Sequence, residues 1–143
     1  MIITAYHTSP ISLTKFKNKS AMWFTDRIEL AKAYHEYSKG ERGIAWTYEV
    51  IINGNILSTK NFSQACKNFK INEDELIPEL VSNPDNILSN PDIKKIQTIC
   101  DGFYHSDYDP RDNQKDVENI LVFNPNKNVK LINKKLKLVR EHL

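Results

Sequence analysis

Apolar and polar positions along this chain follow two rhythms, one at each end and another in the middle. Residues 2–7, IITAYH, form a β-branched run closed by Thr8-Ser9-Pro10, a cluster of turn formers, and predict a short strand. Residues 11–20 are rich in Lys and Ser without clear alternation and read as loop. AMWF at 21–24 predicts a second strand that runs into TDRIELAKAYHEYSKGERG. In that stretch Asp26 and Glu29 have the spacing of an N-cap and its capping-box partner, and Leu30, Ala33, Tyr34 and Tyr37 recur on one helical face. Gly40 stands where such a helix would end. IAWTYEVII at 44–52 predicts a strong strand, and Asn53-Gly54 predicts a tight turn from which NILS returns as a short strand.

Residues 61–100 change character. NFSQACKNF, NEDELIPELVSN and NPDIKKIQTIC predict short helices opened by Asn or Asp and punctuated by Pro78, Pro84 and Pro91. GFYHSDYD at 102–109 returns to strand chemistry, PRDNQK reads as loop, VENILVFNP at 117–125 is a strong strand closed by Asn-Pro, and NVKLI is one more. No Gly-rich phosphate loop and no βαβ repetition interrupts this order. The fold class expected is α+β, with an antiparallel or split β-sheet and flanking short helices rather than a doubly wound parallel sheet.

Composition adds bounds. The 143 residues suit a single domain over residues 1–143, with 40% hydrophobic and 27% charged residues. Twenty basic and 18 acidic side chains leave a formal charge of +2, which gives no large basic footprint but leaves a nucleic-acid target open. Cys66 and Cys100 are far apart, with no Cys-x-x-Cys, and the histidines at 7, 35, 105 and 142 have no ligand spacing, so no metal site is expected. No leader-like or membrane-spanning apolar run is present, and the expected location is a reducing cytosol.

Three segments then fall into one order: Tyr6-His7-Thr8-Ser9-Pro10 at a strand end, Trp23-Phe24-Thr25-Asp26 entering a helix with Tyr34 eleven residues past Trp23, and VENILVFNP late in the chain. This order resembles the ADP-ribosyltransferase superfamily in its His-Tyr-Glu branch, the side of diphtheria toxin and the poly-ADP-ribose polymerases. The opening segment and the size also look like phage-encoded anti-CRISPR mono-ADP-ribosyltransferases. The resemblance implies NAD as substrate, bound by His7, Thr8, Ser9, Trp23, Phe24 and Tyr34, with His7, Tyr34 and an acid as the catalytic set. It implies transfer of one ADP-ribose to a protein target, a CRISPR effector subunit being the first candidate. The alternatives are an NAD glycohydrolase and a non-catalytic inhibitory module.

Physical chemistry agrees with those roles. A flat cationic pyridinium favours aromatic faces, which Trp23 and Tyr34 could supply, and its carboxamide needs a donor and an acceptor, which Thr8 and Ser9 could supply. An oxocarbenium-like transition state calls for a carboxylate. The same residues also admit plain packing: Tyr34 on a buried helix face, Trp23 in the core beside Trp46, Ser9 in a turn. Two departures from the family pattern stand out. Thr8 replaces a usual Gly, and counting back from Phe123-Asn124-Pro125 puts Asn119 where a Glu is usual. Glu118, one residue earlier, faces the other way from Asn119 on a regular strand and is expected to need a bulge or an alternative register to turn inward; it is the favoured acid and Asp107 the alternative, with Asp109, Asp112 and Asp116 as further acids nearby.

Overall fold

The computed structural model describes residues 2–9, 16, 20–27, 44–85, 87–109 and 112–138, without side chains for 44–45, 107–109, 112–116 and 134–138. The helix predicted over 26–40, and Tyr34 with it, lies outside the described residues beyond Arg27. The described residues are α+β. Seven strands, β1 Ile2–Ser9, β2 Met22–Thr25, β3 Ile44–Asn53, β4 Ile56–Leu57, β5 Gly102–Asp109, β6 Asp112–Val122 and β7 Val129–Leu138, form one sheet in the order β4-β5-β6-β2-β1-β3-β7. Every pairing is antiparallel except β4 with β5. Four short helices accompany it: α1 Thr59–Asn68, α2 Glu73–Ser82, α3 Pro91–Ile96 and α4 Pro125–Asn128.

Several boundaries differ from expectation, each because of a partner distant in sequence. β1 does not stop at His7. Thr8 and Ser9 continue it because Thr47 and Trp46 of β3 pair with them, and a formed ladder outweighs turn propensity. β6 begins at Asp112, inside the segment expected as loop, because β5 pairs with it along nearly its whole length. Nor does β4 return onto β3 after Asn53-Gly54. Both sides of β3 are already occupied, by β1 and β7, so β4 pairs in parallel with β5 instead.

That pairing fixes the sheet's curvature. β4 and β3 are first and sixth in strand order, and five strand spacings of about 4.8 Å would separate them by roughly 24 Å in a flat sheet. The three Cα steps from Asn53 to Ile56 reach only about 11 Å. The sheet must therefore curl until its two halves face each other. The enclosed core contains Tyr48, Val50 and Ile52 from one half with Phe24, Ile56, Ile120 and Val122 from the other. Asp101 pins the corner. Its carboxylate accepts from the Asn55 N–H at 2.8 Å, and its own N–H donates to the Asn55 carbonyl at 2.8 Å.

The outer face of the β5–β6 half carries the helices. Ser58, Asn72 and Asn90 cap α1, α2 and α3 through their side-chain oxygens, so the polar openings expected for the second and third are present, and Ser58 opens the first. Phe62 of α1 stacks on Phe103 of β5 with centroids 3.5 Å apart and planes 7° from parallel, inside a core that also holds Leu80, Ile93, Ile96, Leu121 and Phe123. Gly102 lets β5 come this close to β6, since a Cβ there would lie 2.1 Å from the Leu121 carbonyl oxygen. Phe103 is fully buried. Phe103→Ala is expected to destabilise the protein by about 3–5 kcal/mol in urea unfolding, and a loss below about 1 kcal/mol would remove this stack from the account.

Candidate active site

β1, β2 and β6 are neighbours, so the three segments singled out in the sequence lie side by side. The join between β1 and β2 is narrow. Tyr6 opposite Thr25 is the one registered pair among the described residues. Beyond that pair a side chain takes over from the ladder. His7 Nδ1 lies 2.7 Å from the Trp23 carbonyl oxygen. A carbonyl can only accept, so Nδ1 carries the proton and, in the neutral ring, Nε2 is left as an acceptor. Burial pushes the His7 pKa below its ordinary value, and the bond to the Trp23 carbonyl pulls the other way without cancelling that effect. The neutral imidazole is thus the favoured form, and its acceptor nitrogen Nε2 suits a hydroxyl donor such as a ribose.

Strand alternation sorts the remaining candidates onto two faces. His7 shares the inner face with Phe24, whose ring centroid is 5.6 Å away. Phe24 is opposite Ile120, and Glu118 lies two residues before Ile120 on the same side of β6. The β5–β6 ladder is regular from Gly102/Val122 to Tyr108/Asp116. Glu118 therefore reaches His7's face by alternation, and no bulge is needed. Its carboxylate is exposed and accepts from Thr59 Oγ1 at 3.2 Å. Tyr104 faces the same side, opposite Ile120. Burial raises its phenol pKa, and the negative charges of Asp26 and Glu118 raise it further. Ser9, buried, follows His7 on this face and is opposite Trp46, which is half-buried.

The other face holds the Trp23 indole. It packs edge-on against Phe103 at 6.2 Å and tilted against His105 at 5.9 Å, and its Nε1 donates to the Leu80 carbonyl at 3.3 Å. Trp23 thus meets His7 through its backbone, while its ring packs under the helices. Thr8 alternates away from His7. Asn119, buried, is opposite Thr25 and His105 on the Trp23 side, so the position reached by counting back from Asn-Pro is not on His7's face. Phe24 is buried at 2% exposure and supports His7 from beneath. Asp107 pairs opposite Val117 in β5, while Asp109 and Asp112 pair at the far end of the hairpin and Asp116 opposite Tyr108. The side chains of these four lie outside the described ones, as does Tyr34.

Among the described residues no group of three or more His, Cys, Asp or Glu is arranged to hold a metal ion, and no helix is long and apolar enough to cross a membrane. Cys66 and Cys100 are buried free thiols whose pKa values burial pushes up to about 11 and about 12, so neither is a thiolate nucleophile at neutral pH. Sequence reasoning missed Thr59 and Tyr104. Thr59 reaches Glu118 only through the parallel β4–β5 pairing, which carries no local signal.

No family model, curated protein or solved structure matches this chain.

The His7 environment predicts a pH effect on stability. The fold favours the neutral ring, whereas the unfolded chain takes up a proton near pH 6.5. Stability is therefore full above that value and is lost as pH falls from there toward the lower folded-state pKa. His7→Asn keeps an amide donor for the Trp23 carbonyl and removes the titration. Urea unfolding between about pH 7.5 and 5 should show a shallower loss in the variant than in the wild type; equal slopes would show that His7 charges freely in the fold.

Proposed function

We propose that this chain is a mono-ADP-ribosyltransferase that transfers ADP-ribose from NAD to a protein, with an ADP-ribosyltransferase-like arrangement of its sheet. The observation that supports this reading most is the placement of His7 and Glu118 on one face of three adjacent strands, with His7 bonded to the Trp23 backbone across the β1/β2 join. The resemblance in the sequence assigns these three segments to NAD, and their adjacency is what such a site requires.

In this reading His7 Nε2 accepts from a hydroxyl of the adenosine-side ribose, and Ser9 with the Thr8 backbone holds the nicotinamide carboxamide. Trp23 shapes the join through its carbonyl, Phe24 supports His7, and Tyr34 supplies an aromatic face. The bond between the ribose anomeric carbon and the nicotinamide nitrogen breaks, and nicotinamide leaves neutral with the electron pair. The Glu118 carboxylate stabilises the positive charge left on the ribose and orients its 2′-hydroxyl. A nucleophile on the target protein then bonds to the anomeric carbon and loses its proton. The near-neutral overall charge favours a protein acceptor over a nucleic acid, and a CRISPR effector subunit is the first candidate from the resemblance. The exposure of Glu118 also favours a second reading, NAD hydrolysis, in which water takes the acceptor's place.

Incubation with labelled NAD in bacterial lysate and with a co-expressed effector complex separates these outcomes. Transfer predicts one added ADP-ribose on a protein by mass spectrometry, and hydrolysis predicts free ADP-ribose alone. Glu118→Gln should keep NAD affinity and lose about a hundredfold or more in rate, because the acid acts on charge that develops in the transition state. Asp107→Asn should keep most of both. A dead Asp107→Asn beside an active Glu118→Gln would move the acid to β5, and inhibition of the effector with no added mass and no NAD requirement would make the chain a binding module.

A further inference from the structure

Thr59 belongs to none of the three sequence segments, yet its hydroxyl is the hydrogen-bond donor to the Glu118 carboxylate. The route by which it gets there is a feature of the fold. β4 has only two residues, and its parallel register with β5, Ile56 beside Gly102 and Leu57 beside Phe103, carries the chain to the level of Tyr104. Ser58 then caps α1, and Thr59 is the first helical residue. Its Oγ1 lies 3.1 Å from the Tyr104 carbonyl oxygen and 3.2 Å from Glu118 Oε1. One hydroxyl has one proton for these two acceptors. The proton is shared between the two acceptors, and the bond to the carboxylate is charge-assisted and the stronger of the two.

We propose that Thr59 is a positioning residue for the catalytic acid: it engages Oε1 of Glu118 and so presents Oε2 to the nicotinamide-side ribose. The inference rests on the transfer reading above and adds to it a residue from a different part of the chain. An exposed glutamate on a strand has several rotamers open to it, and one bond to a helix-anchored hydroxyl selects among them. The contribution falls on the transition state, where the orientation of the carboxylate matters, and little on NAD binding.

The test uses the full chain and steady-state NAD turnover, read as transfer or as hydrolysis. Thr59→Val is isosteric and lacks the hydroxyl. It should lower kcat about tenfold, the scale of one hydrogen bond to a charged group, and leave KM for NAD within about twofold. Thr59→Ser should restore most of kcat, and Thr59→Ala replaces Thr59→Val if the latter fails to fold. The double variant Thr59→Val with Glu118→Gln should be no slower than Glu118→Gln alone, since Thr59 acts through that carboxylate. Wild-type kcat in Thr59→Val, or a loss that adds in full to that of Glu118→Gln, overturns the role of Thr59 while leaving the acid assignment intact. Wild-type turnover in Glu118→Gln overturns both.

Discussion

The join between β1 and β2 is the constraint on which the rest of this structure depends. Among the described residues, the registered pair Tyr6–Thr25 and the bond from His7 to the Trp23 carbonyl help connect the β7-β3-β1 half of the sheet to the β2-β6-β5-β4 half. A longer ladder would flatten the junction and leave the Trp23 carbonyl to a backbone N–H. The short one allows the sheet to curl, which the brief link between β3 and β4 demands. The same join sets an imidazole, rather than a peptide group, against the Trp23 carbonyl, with Nδ1 donating and Nε2 an acceptor.

Curling has two consequences. It closes a core between the halves, where Val50, Ile52, Ile56, Ile120 and Val122 pack together. It also leaves the outer face of β5 and β6 to be covered by α1, α2 and α3, with the Phe62–Phe103 stack at the contact. The two faces of β6 therefore do different work. Leu121 and Asn119 look toward the helical layer, while Ile120 and Glu118 look toward His7. A one-residue slip of β6 would exchange these sets, so burial of Leu121 and Ile120 on opposite faces is what fixes Glu118 on the His7 side.

Much of this was legible in the sequence, and the failures share a cause. Period-two runs marked the strands, and Asn72 and Asn90 marked helix starts, because those signals act within a few residues. Thr8-Ser9 reads as a turn and Asn53-Gly54 as a hairpin for the same local reasons. Both readings gave way to pairings with strands distant in sequence, β3 in the first case and β5 in the second. At the candidate site, motif order proposed His7 and, one residue off the expected spacing, Glu118. Counting back from Asn-Pro pointed to Asn119, and only the register of β2, β6 and β5 shows which of the two neighbours shares a face with His7. Trp23 carries an aromatic signal that serves packing as well as ligand stacking, and its ring lies with Phe103 and His105. Thr59 and Tyr104 come together through a two-residue parallel strand, too short to leave a pattern.

The central claim is that the His7 face of the β1/β2 join binds NAD. Titrating NAD into histidine-labelled protein and following the imidazole resonances tests it without requiring turnover, with His7 assigned by comparison with His7→Asn. The account predicts a saturable shift of the His7 Nε2 signal as that nitrogen accepts a ribose hydroxyl, while His105, on the opposite face, moves little. An unperturbed His7 at saturating NAD, or a shift confined to His105, would contradict it.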